Sequence, residues 1–306
     1  MNIKIGTRGS KLALWQAYYV QNMLKAKNVD SEIIIIETTG DKIQHVSLSK
    51  IGSKGVFTAE LEEQLRSKEI DIAVHSAKDV QSHLPDDLEL IAFTERETVN
   101  DVLVAYKHVD LENKDIPIVV GTSSTRRIAF MKRFYPHISL VDMRGNLQTR
   151  FEKLKNGHCD AMLLAYAGVH RMNYNQHIVS KLPIEKFTPP VGQGSVAIEV
   201  AKNIQKEKRE MLISALNHPQ TAVCLQAERS FLYTMNGGCS VPTFGYAAWI
   251  DDKSLQITAG IISLDGTQEV RHSINFQPHD SEKAGQMIAE KVLSTGGAEI
   301  LAEIKR

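Results

Sequence analysis

Apolar and polar positions along the chain follow two rhythms, and the rhythms take turns. Residues 3–5, 32–37, 71–74 and 88–93 are short runs of branched and aliphatic residues, which predict strands. Between them, residues 11–25 and 58–67 place apolar side chains three and four apart, as Leu61 and Leu65 are, which predicts helices. The alternation then restarts. Strands are expected over 101–106, 116–120, 139–141 and 160–164, and helices over 126–133 and 147–155. Strands separated by helices in this way predict an α/β fold, a mainly parallel sheet with helices on both faces.

The restart is an internal repeat. Ile3-Lys4-Ile5-Gly6-Thr7 before a helix matches Ile118-Val119-Val120-Gly121-Thr122 before a helix, and Asp71-Ile72-Ala73-Val74 echoes Asp160-Ala161-Met162-Leu163. The first half carries extra residues around 38–57. Two similar doubly wound domains facing a cleft are therefore expected, in the manner of periplasmic-type binding proteins, with ligand beyond the carboxyl ends of the strands. The last third reads differently. A helix from Thr221 to about Tyr233 stops at Asn236-Gly237-Gly238, strands follow over 245–250, 254–262 and 268–274, and a helix runs over 281–293. That predicts a small α+β C-terminal domain. Pro189-Pro190-Val191-Gly192-Gln193-Gly194 reads as a crossing between domains. The expected boundaries are 1–95 with 192–212 for domain 1, 98–188 for domain 2 and 216–306 for domain 3.

Composition narrows the classes. A chain of 306 residues can hold two or three domains with real cores. Its 36 basic residues balance 36 acidic ones, which argues against a nucleic-acid partner and makes any positive patch local. The chain opens on a strand rather than a basic and apolar leader. Its longest apolar stretches, near 161–169, are too short for a bilayer, so no membrane partner and a cytoplasmic location are expected. Cys159, Cys224 and Cys239 are an odd count at spacings that suggest neither a disulfide framework nor a zinc site and fit a reducing cytoplasm.

The candidate chemistry is anionic recognition. Each Gly-Thr turn puts free backbone N–H groups and a helix dipole at one spot, and each carries arginine: Arg8 in the first, Arg126 and Arg127 in the second. Plain helix capping by Ser10 and by Ser123 or Ser124 is the alternative. Arg144, before Gly145 in a loop-like segment, Arg150 one turn on and Arg171 after a strand add more guanidinium forks, which grip carboxylates in pairs of hydrogen bonds. Any one of them could instead be solvated surface charge. His75-Ser76-Ala77-Lys78-Asp79-Val80 follows a strand at its carboxyl end, where Lys78 and Asp79 could do chemistry or simply form a salt bridge. Cys239 sits behind two glycines, a turn that could present a thiol, whereas Cys224 belongs to an apolar helical face. Residues 38–57 read as a mobile loop or lid, and Gly52-Ser53-Lys54-Gly55 lacks the spacing of a P-loop.

Six motifs in order resemble one family over essentially the whole chain: Thr7–Ala17 (T-R-G-S-K-L-A-L-W-Q-A), His75–Val80 (H-S-A-K-D-V), Gly121–Arg127 (G-T-S-S-T-R-R), Arg144–Arg150 (R-G-N-L-Q-T-R), Val191–Gly194 (V-G-Q-G) and Gly237–Pro242 (G-G-C-S-V-P). They look like hydroxymethylbilane synthase, also called porphobilinogen deaminase. The resemblance implies a transferase that joins four porphobilinogen units head to tail, releasing ammonia each time, on a dipyrromethane cofactor held by a thioether to Cys239. It implies that Asp79 is catalytic, bonding pyrrole N–H groups and stabilising the azafulvene cation. It implies that Arg8, Arg126, Arg127, Arg144, Arg150 and Arg171 bind acetate and propionate groups. Ser10, Lys54, Phe57, Ser76, Lys78, Thr122, Ser123, Ser124, Gly145 and Gln193 are placed around the cleft by the same likeness, which also implies a monomer and no metal. Ala77, Gln81, Thr125, Ser195 and Ser240 depart from the commonest family pattern, and none of these departures removes a charged or covalent group. Two rival readings are a non-enzymatic anion-binding protein and a thiol enzyme using Cys239.

Overall fold

The computed structural model describes residues 2–38, 58–238 and 241–305, which divide into two compact units. The first unit is Met1–Glu97 with Gly194–Leu225 and the second is Thr98–Gln193 with Gln226–Arg306. The expected loop over 38–57, apart from Thr38, lies outside the described residues, as do Lys54, Phe57 and Cys239.

With elements numbered along the whole chain, the first unit holds β1 (Asn2–Thr7), α1 (Lys11–Lys25), β2 (Asp30–Ile35), α2 (Ala59–Arg66), β3 (Ile72–Ser76), β4 (Leu88–Phe93), β10 (Val196–Ala201) and α6 (Lys206–Leu216). Its sheet runs β2-β1-β3-β10-β4. The period-two pattern of β1 explains its place: Ile3 and Ile5 are fully buried while Asn2 and Lys4 face water. Ala17, Val20 and Leu24, spaced three and four apart, turn one face of α1 onto that sheet beside Ile72, Val74 and Ile198. Each fully buried aliphatic side chain contributes about 1.5–3 kcal/mol.

The second unit repeats the plan. It holds β5 (Asp101–Val104), β6 (Val119–Gly121), α3 (Thr125–Phe134), β7 (Ser139–Val141), α4 (Leu147–Lys155), β8 (Ala161–Ala165), α5 (Tyr166–Arg171) and β9 (Ile178–Lys181), and its sheet runs β7-β6-β8-β5-β9. In both sheets the fourth strand is antiparallel to its two neighbours and the others share one direction. That strand is the first one after the chain crosses from the other unit: β5 after Glu97, β10 after Gln193. The repeat seen in the sequence corresponds strand for strand, β1 to β6 and β3 to β8. Its two aspartates make the same clip. Asp71 accepts from Lys4 N at 2.9 Å and its own N–H donates to Lys4 O at 2.9 Å. Asp160 accepts from Val119 N at 2.8 Å and donates to Val119 O at 2.9 Å. The two similar α/β sheets expected from the alternation are thus present.

The C-terminal part is α+β, as expected: α7 (Pro219–Thr234), an antiparallel sheet of β11 (Thr243–Trp249), β12 (Leu255–Ile262) and β13 (Glu269–Phe276), then α8 (Ser281–Val292) and α9 (Ala298–Ile304). A Cβ on Gly285 would meet Ala227 O, so α8 approaches α7 at backbone contact. Five elements carry no clear signal in the hydrophobic pattern, one of them α5, a helix of only six residues. β9 is an exposed edge strand, β10 is buried along nearly its whole length and so does not alternate, and α6 and α9 are short and largely charged on one side.

Glu228 on α7 is fully buried and accepts from Gly192 N and Ala247 N, both at 2.8 Å. Glu228→Ala orphans both donors, and hydrogen bonds to a charged group are worth about 1.5–3 kcal/mol each. The expected result is a fall of at least about 2 kcal/mol in urea-unfolding stability. A change within error would show that water replaces the carboxylate.

Candidate active site

In the first unit a cavity of about 90 Å³ lies at the carboxyl ends of β1 and β3. Two turns shape it. After β1 the chain passes Arg8 and enters α1, where the Ser10 hydroxyl accepts from Ala13 N at 3.3 Å and caps the helix. After β3 a single 3₁₀ turn, Ala77–Asp79, brings Asp79 round to the same space. Arg8, Ser10, Ser76 and Asp79 line this cavity together, with Leu12, Ala13 and Val74 as its apolar wall. Asp79 is exposed, Arg8 and Lys78 are half-buried. Capping and cavity lining therefore coincide at Ser10 rather than exclude each other.

Beyond those expected, Gln16, Thr58 and His75 line the cavity, and Glu62, Gln81 and Glu199 bond to them from behind. Gln16 of α1 donates to Ser76 Oγ at 2.8 Å, fixing the hydroxyl. Thr58 donates to Glu62 at 2.6 Å, and Gln81, just past Asp79, donates to Thr58 Oγ1 at 3.0 Å and to Glu62 at 3.2 Å. His75 lies in the wall with Nε2 2.9 Å from Glu199 Oε2 of β10. Gln16 and His75 stand inside quoted motifs, but nothing in their local sequence separates them from core residues. Thr58, Glu62 and Glu199 come from distant elements, which only folding brings in.

The second unit gathers the other predicted residues at two places. At the start of α3, Thr122 Oγ1 accepts from Ser124 N at 3.3 Å, Ser124 Oγ caps Arg127 N at 3.5 Å, and Ser123 Oγ accepts from Met143 N at 3.0 Å. The next turn belongs to the same group. Arg144 Nε donates to Asp142 at 2.6 Å, and Arg150 Nε donates to the Gly145 carbonyl at 2.8 Å. Gly145 has φ +110°, and a Cβ there would crowd Thr149, so the turn needs glycine. Burial alone would raise the Asp142 carboxyl, but hydrogen bonds from Ser123 and Arg144 bring it below its ordinary value. Arg171 ends α5 and is half-buried.

Arg126, Arg127 and Gln193 converge on one carboxylate that the sequence did not single out. Asp101, wholly buried, takes Arg126 Nη2 on Oδ2 and Arg127 Nη2 on Oδ1, both at 2.7 Å. Arg126 Nη1 donates to Thr188 O at 2.9 Å and Arg127 Nη1 to Leu163 O at 3.0 Å. Gln193 donates to Val99 O at 2.6 Å and to Asp101 at 3.1 Å. Burial opposes the charge on Asp101, yet the two guanidinium groups and the bonds from Arg127 and Gln193 hold its carboxyl well below the usual range. Two buried cations against one buried anion leave an excess positive charge, and the Nε of each arginine is buried with no hydrogen-bond partner among the described residues. A carboxylate is the kind of group that satisfies such donors.

In each unit these cationic and hydroxyl groups suit carboxylates on a ligand, and comparison with known proteins says which ligand. A family profile described as the dipyromethane cofactor binding domain of porphobilinogen deaminase matches residues 3–209, and one described as the C-terminal domain of porphobilinogen deaminase matches 222–294. The chain belongs to the porphobilinogen deaminase family. A porphobilinogen deaminase of Cytophaga hutchinsonii is 54% identical, with 99% of this chain and 97% of that protein covered. One from Desulfosudis oleivorans is 47% identical, covering 100% and 99%, and one from Syntrophomonas wolfei 44%, covering 100% and 99%. Among solved structures, the periplasmic VFT2 domain of Bordetella pertussis BvgS aligns with 70% of this chain and 86% of its own length at 19% identity and a TM-score of 0.43. Membership of the porphobilinogen deaminase family makes the chain an enzyme, which sets aside the non-enzymatic and thiol-enzyme readings.

The family's cofactor is a dipyrromethane. Each of its rings carries acidic side chains and one pyrrole N–H. Each unit by itself offers groups that suit it: in the first, the exposed carboxylate Asp79 for N–H groups and Arg8 for a carboxylate, and in the second, buried guanidinium donors for carboxylates.

Proposed function

We propose that Asp79 is the catalytic carboxylate and Cys239 the covalent cofactor anchor of this enzyme. The activity follows from the family: a hydroxymethylbilane synthase, a transferase that condenses four porphobilinogen units head to tail with loss of ammonia, using a dipyrromethane cofactor. When bound, that cofactor supplies the pyrrole ring on which the chain of rings is extended.

The observation that supports the residue roles is the cavity in which Asp79 shares a wall with Arg8, Ser10 and Ser76. Loss of ammonia leaves positive charge on a pyrrole, and a fixed carboxylate stabilises charge where it develops. Arg8, Ser10 and Ser76 of that wall hold acidic substituents, and Lys78, next to Asp79 in the 3₁₀ turn, joins them by family likeness. Thr122, Ser123, Ser124, Arg144, Gly145, Arg150 and Arg171 do so in the second unit, where a helix N-terminus adds backbone donors. Arg126, Arg127 and Gln193 serve through the Asp101 cluster, whose excess positive charge awaits an anion. Lys54 and Phe57 complete the set by family likeness.

Three domains, 1–95 with 192–212, 98–188 and 216–306, are part of the same reading, supported by the break between the family profiles at 209 and 222. So are a monomer, by family likeness, a cytoplasmic location with no membrane partner, and the absence of a nucleic-acid partner, the last supported by the balance of 36 basic and 36 acidic residues. Among the described residues no helix is long and apolar enough to cross a membrane, and no group of three or more His, Cys, Asp and Glu could hold a metal.

The covalent anchor is tested by intact mass. Wild-type protein from cells that make porphobilinogen is expected to exceed its sequence mass by one dipyrromethane, and Cys239→Ser to match its sequence mass. An adduct on Cys239→Ser would move the anchor elsewhere.

A further inference from the structure

We propose that His75, backed by Glu199, is a second acid–base group of the cavity: it takes up the proton that a pyrrole carbon sheds after a new carbon–carbon bond has formed there. The inference rests on the cavity's reading as the condensation site.

The placement comes from strand register. In the β3–β10 pair His75 faces Ala197 and Ala73 faces Glu199, so the two side chains lie on one face of the sheet, one step apart. They meet with Nε2 and Oε2 2.9 Å apart, and their side chains are only 5% and 1% exposed. A carboxylate can only accept, so His75 must carry its hydrogen on Nε2. In the neutral ring Nδ1 is then a lone-pair base. His75 is also part of the cavity wall beside Arg8 and Asp79, so Nδ1 is the nitrogen left to serve it. Burying a carboxylate is costly, and Glu199 Oε1 has no hydrogen-bond partner among the described residues. A carboxylate behind an imidazole fixes its tautomer and stabilises the imidazolium when it forms.

The proton count closes. Porphobilinogen loses its protonated amino group as ammonia, and the electron-poor carbon left behind is attacked by a pyrrole carbon that still bears hydrogen. That C–H bond breaks, its electron pair returns to the ring, and the proton bonds to His75 Nδ1. His75 then yields it to ammonia, so each round ends in an ammonium ion and an unchanged His75–Glu199 pair. Asp79 acts as a fixed charge beside the cation and His75 as the base, which keeps the two roles on separate groups.

Two measurements test this. The first is kinetic. His75→Gln keeps a donor towards Glu199 but offers no basic nitrogen, and kcat is expected to fall about 10²-fold or more with KM changed less than about threefold. With porphobilinogen deuterated at its free pyrrole carbon, that variant should show a primary isotope effect larger than the wild type's, because carbon deprotonation has become limiting. Glu199→Gln should lower kcat by about tenfold, less than loss of the base itself. The second is nitrogen-15 NMR of histidine-labelled wild-type holoenzyme, which should show His75 protonated at Nε2 and is readable even where a variant does not fold. A kcat within about threefold of wild type in folded His75→Gln, or a His75 protonated at Nδ1 alone, would overturn the proposal. Wild-type enzyme that does not consume porphobilinogen, with the Nε2 tautomer intact, would count against the cavity's reading and not against the pair.

Discussion

Asp79→Asn enzyme is expected to fold as the wild type does and to turn over porphobilinogen roughly 10²- to 10³-fold more slowly. Asparagine keeps the shape and one acceptor oxygen, so pyrrole N–H groups can still be bonded and KM should change little. What disappears is the negative charge. Two unit charges about 4 Å apart interact by about 4 kcal/mol at an effective dielectric of 20, enough for a loss of this size. Asp79 is exposed and ends a single 3₁₀ turn, so little of the fold depends on its ionisation. Steady-state turnover measured beside a thermal melt separates the two effects. Turnover within about threefold of wild type would remove Asp79 from the mechanism.

Asp101→Asn is expected to cost about 3–5 kcal/mol of folding stability, the penalty for leaving buried charge without its partner. Both guanidinium groups hang on this one carboxylate, and their side chains are only 4% and 8% exposed. The amide would neutralise neither. The pH dependence has a definite sign. The Asp101 carboxyl is held below its unfolded value, so its contribution is fully present above about pH 4, where unfolded aspartate is ionised. It is lost as pH falls from there towards the folded value. Urea unfolding of wild type and variant should therefore show a constant gap from neutral pH down to about 4 and a narrowing gap below it. A gap that stays constant to pH 2 would mean that the variant is destabilised by packing and not by charge. Since Arg126 and Arg127 are oriented by this residue, cofactor content by intact mass should fall as well.

Arg126 and Arg127 show how far local sequence reaches. Two arginines at a helix start, after a Gly-Thr turn, are equally what an anion site needs and what a buried aspartate needs. The partner, Asp101, comes from the strand β5, which the sequence reading treated only as a strand. Register places it under α3, and no spacing rule applies across that gap. Ser10 and Ser124 make the opposite point: the capping that stood as the alternative to anion binding is present at both, by Ser124 rather than Ser123 at the second turn, and at Ser10 it does not compete with lining the cavity. The aspartate pair 71 and 160 was legible as an echo, but its purpose, the same two-bond clip onto β1 and β6, became visible only with the strands side by side.

The sequence by itself determined the alternation of strands and helices, the repeat of one α/β plan, the α+β C-terminal part and the family. These rest on local periodicity, turn chemistry and contiguous motifs, all of which are written within a few residues of one another. Tertiary structure alone decided which strand in each sheet is reversed, which arginines are spent on Asp101, and that His75 has Glu199 behind it. Those outcomes depend on the meeting of segments far apart in the chain, as with the 2.9 Å contact between residues 75 and 199, where burial and register rather than local preference choose the partner.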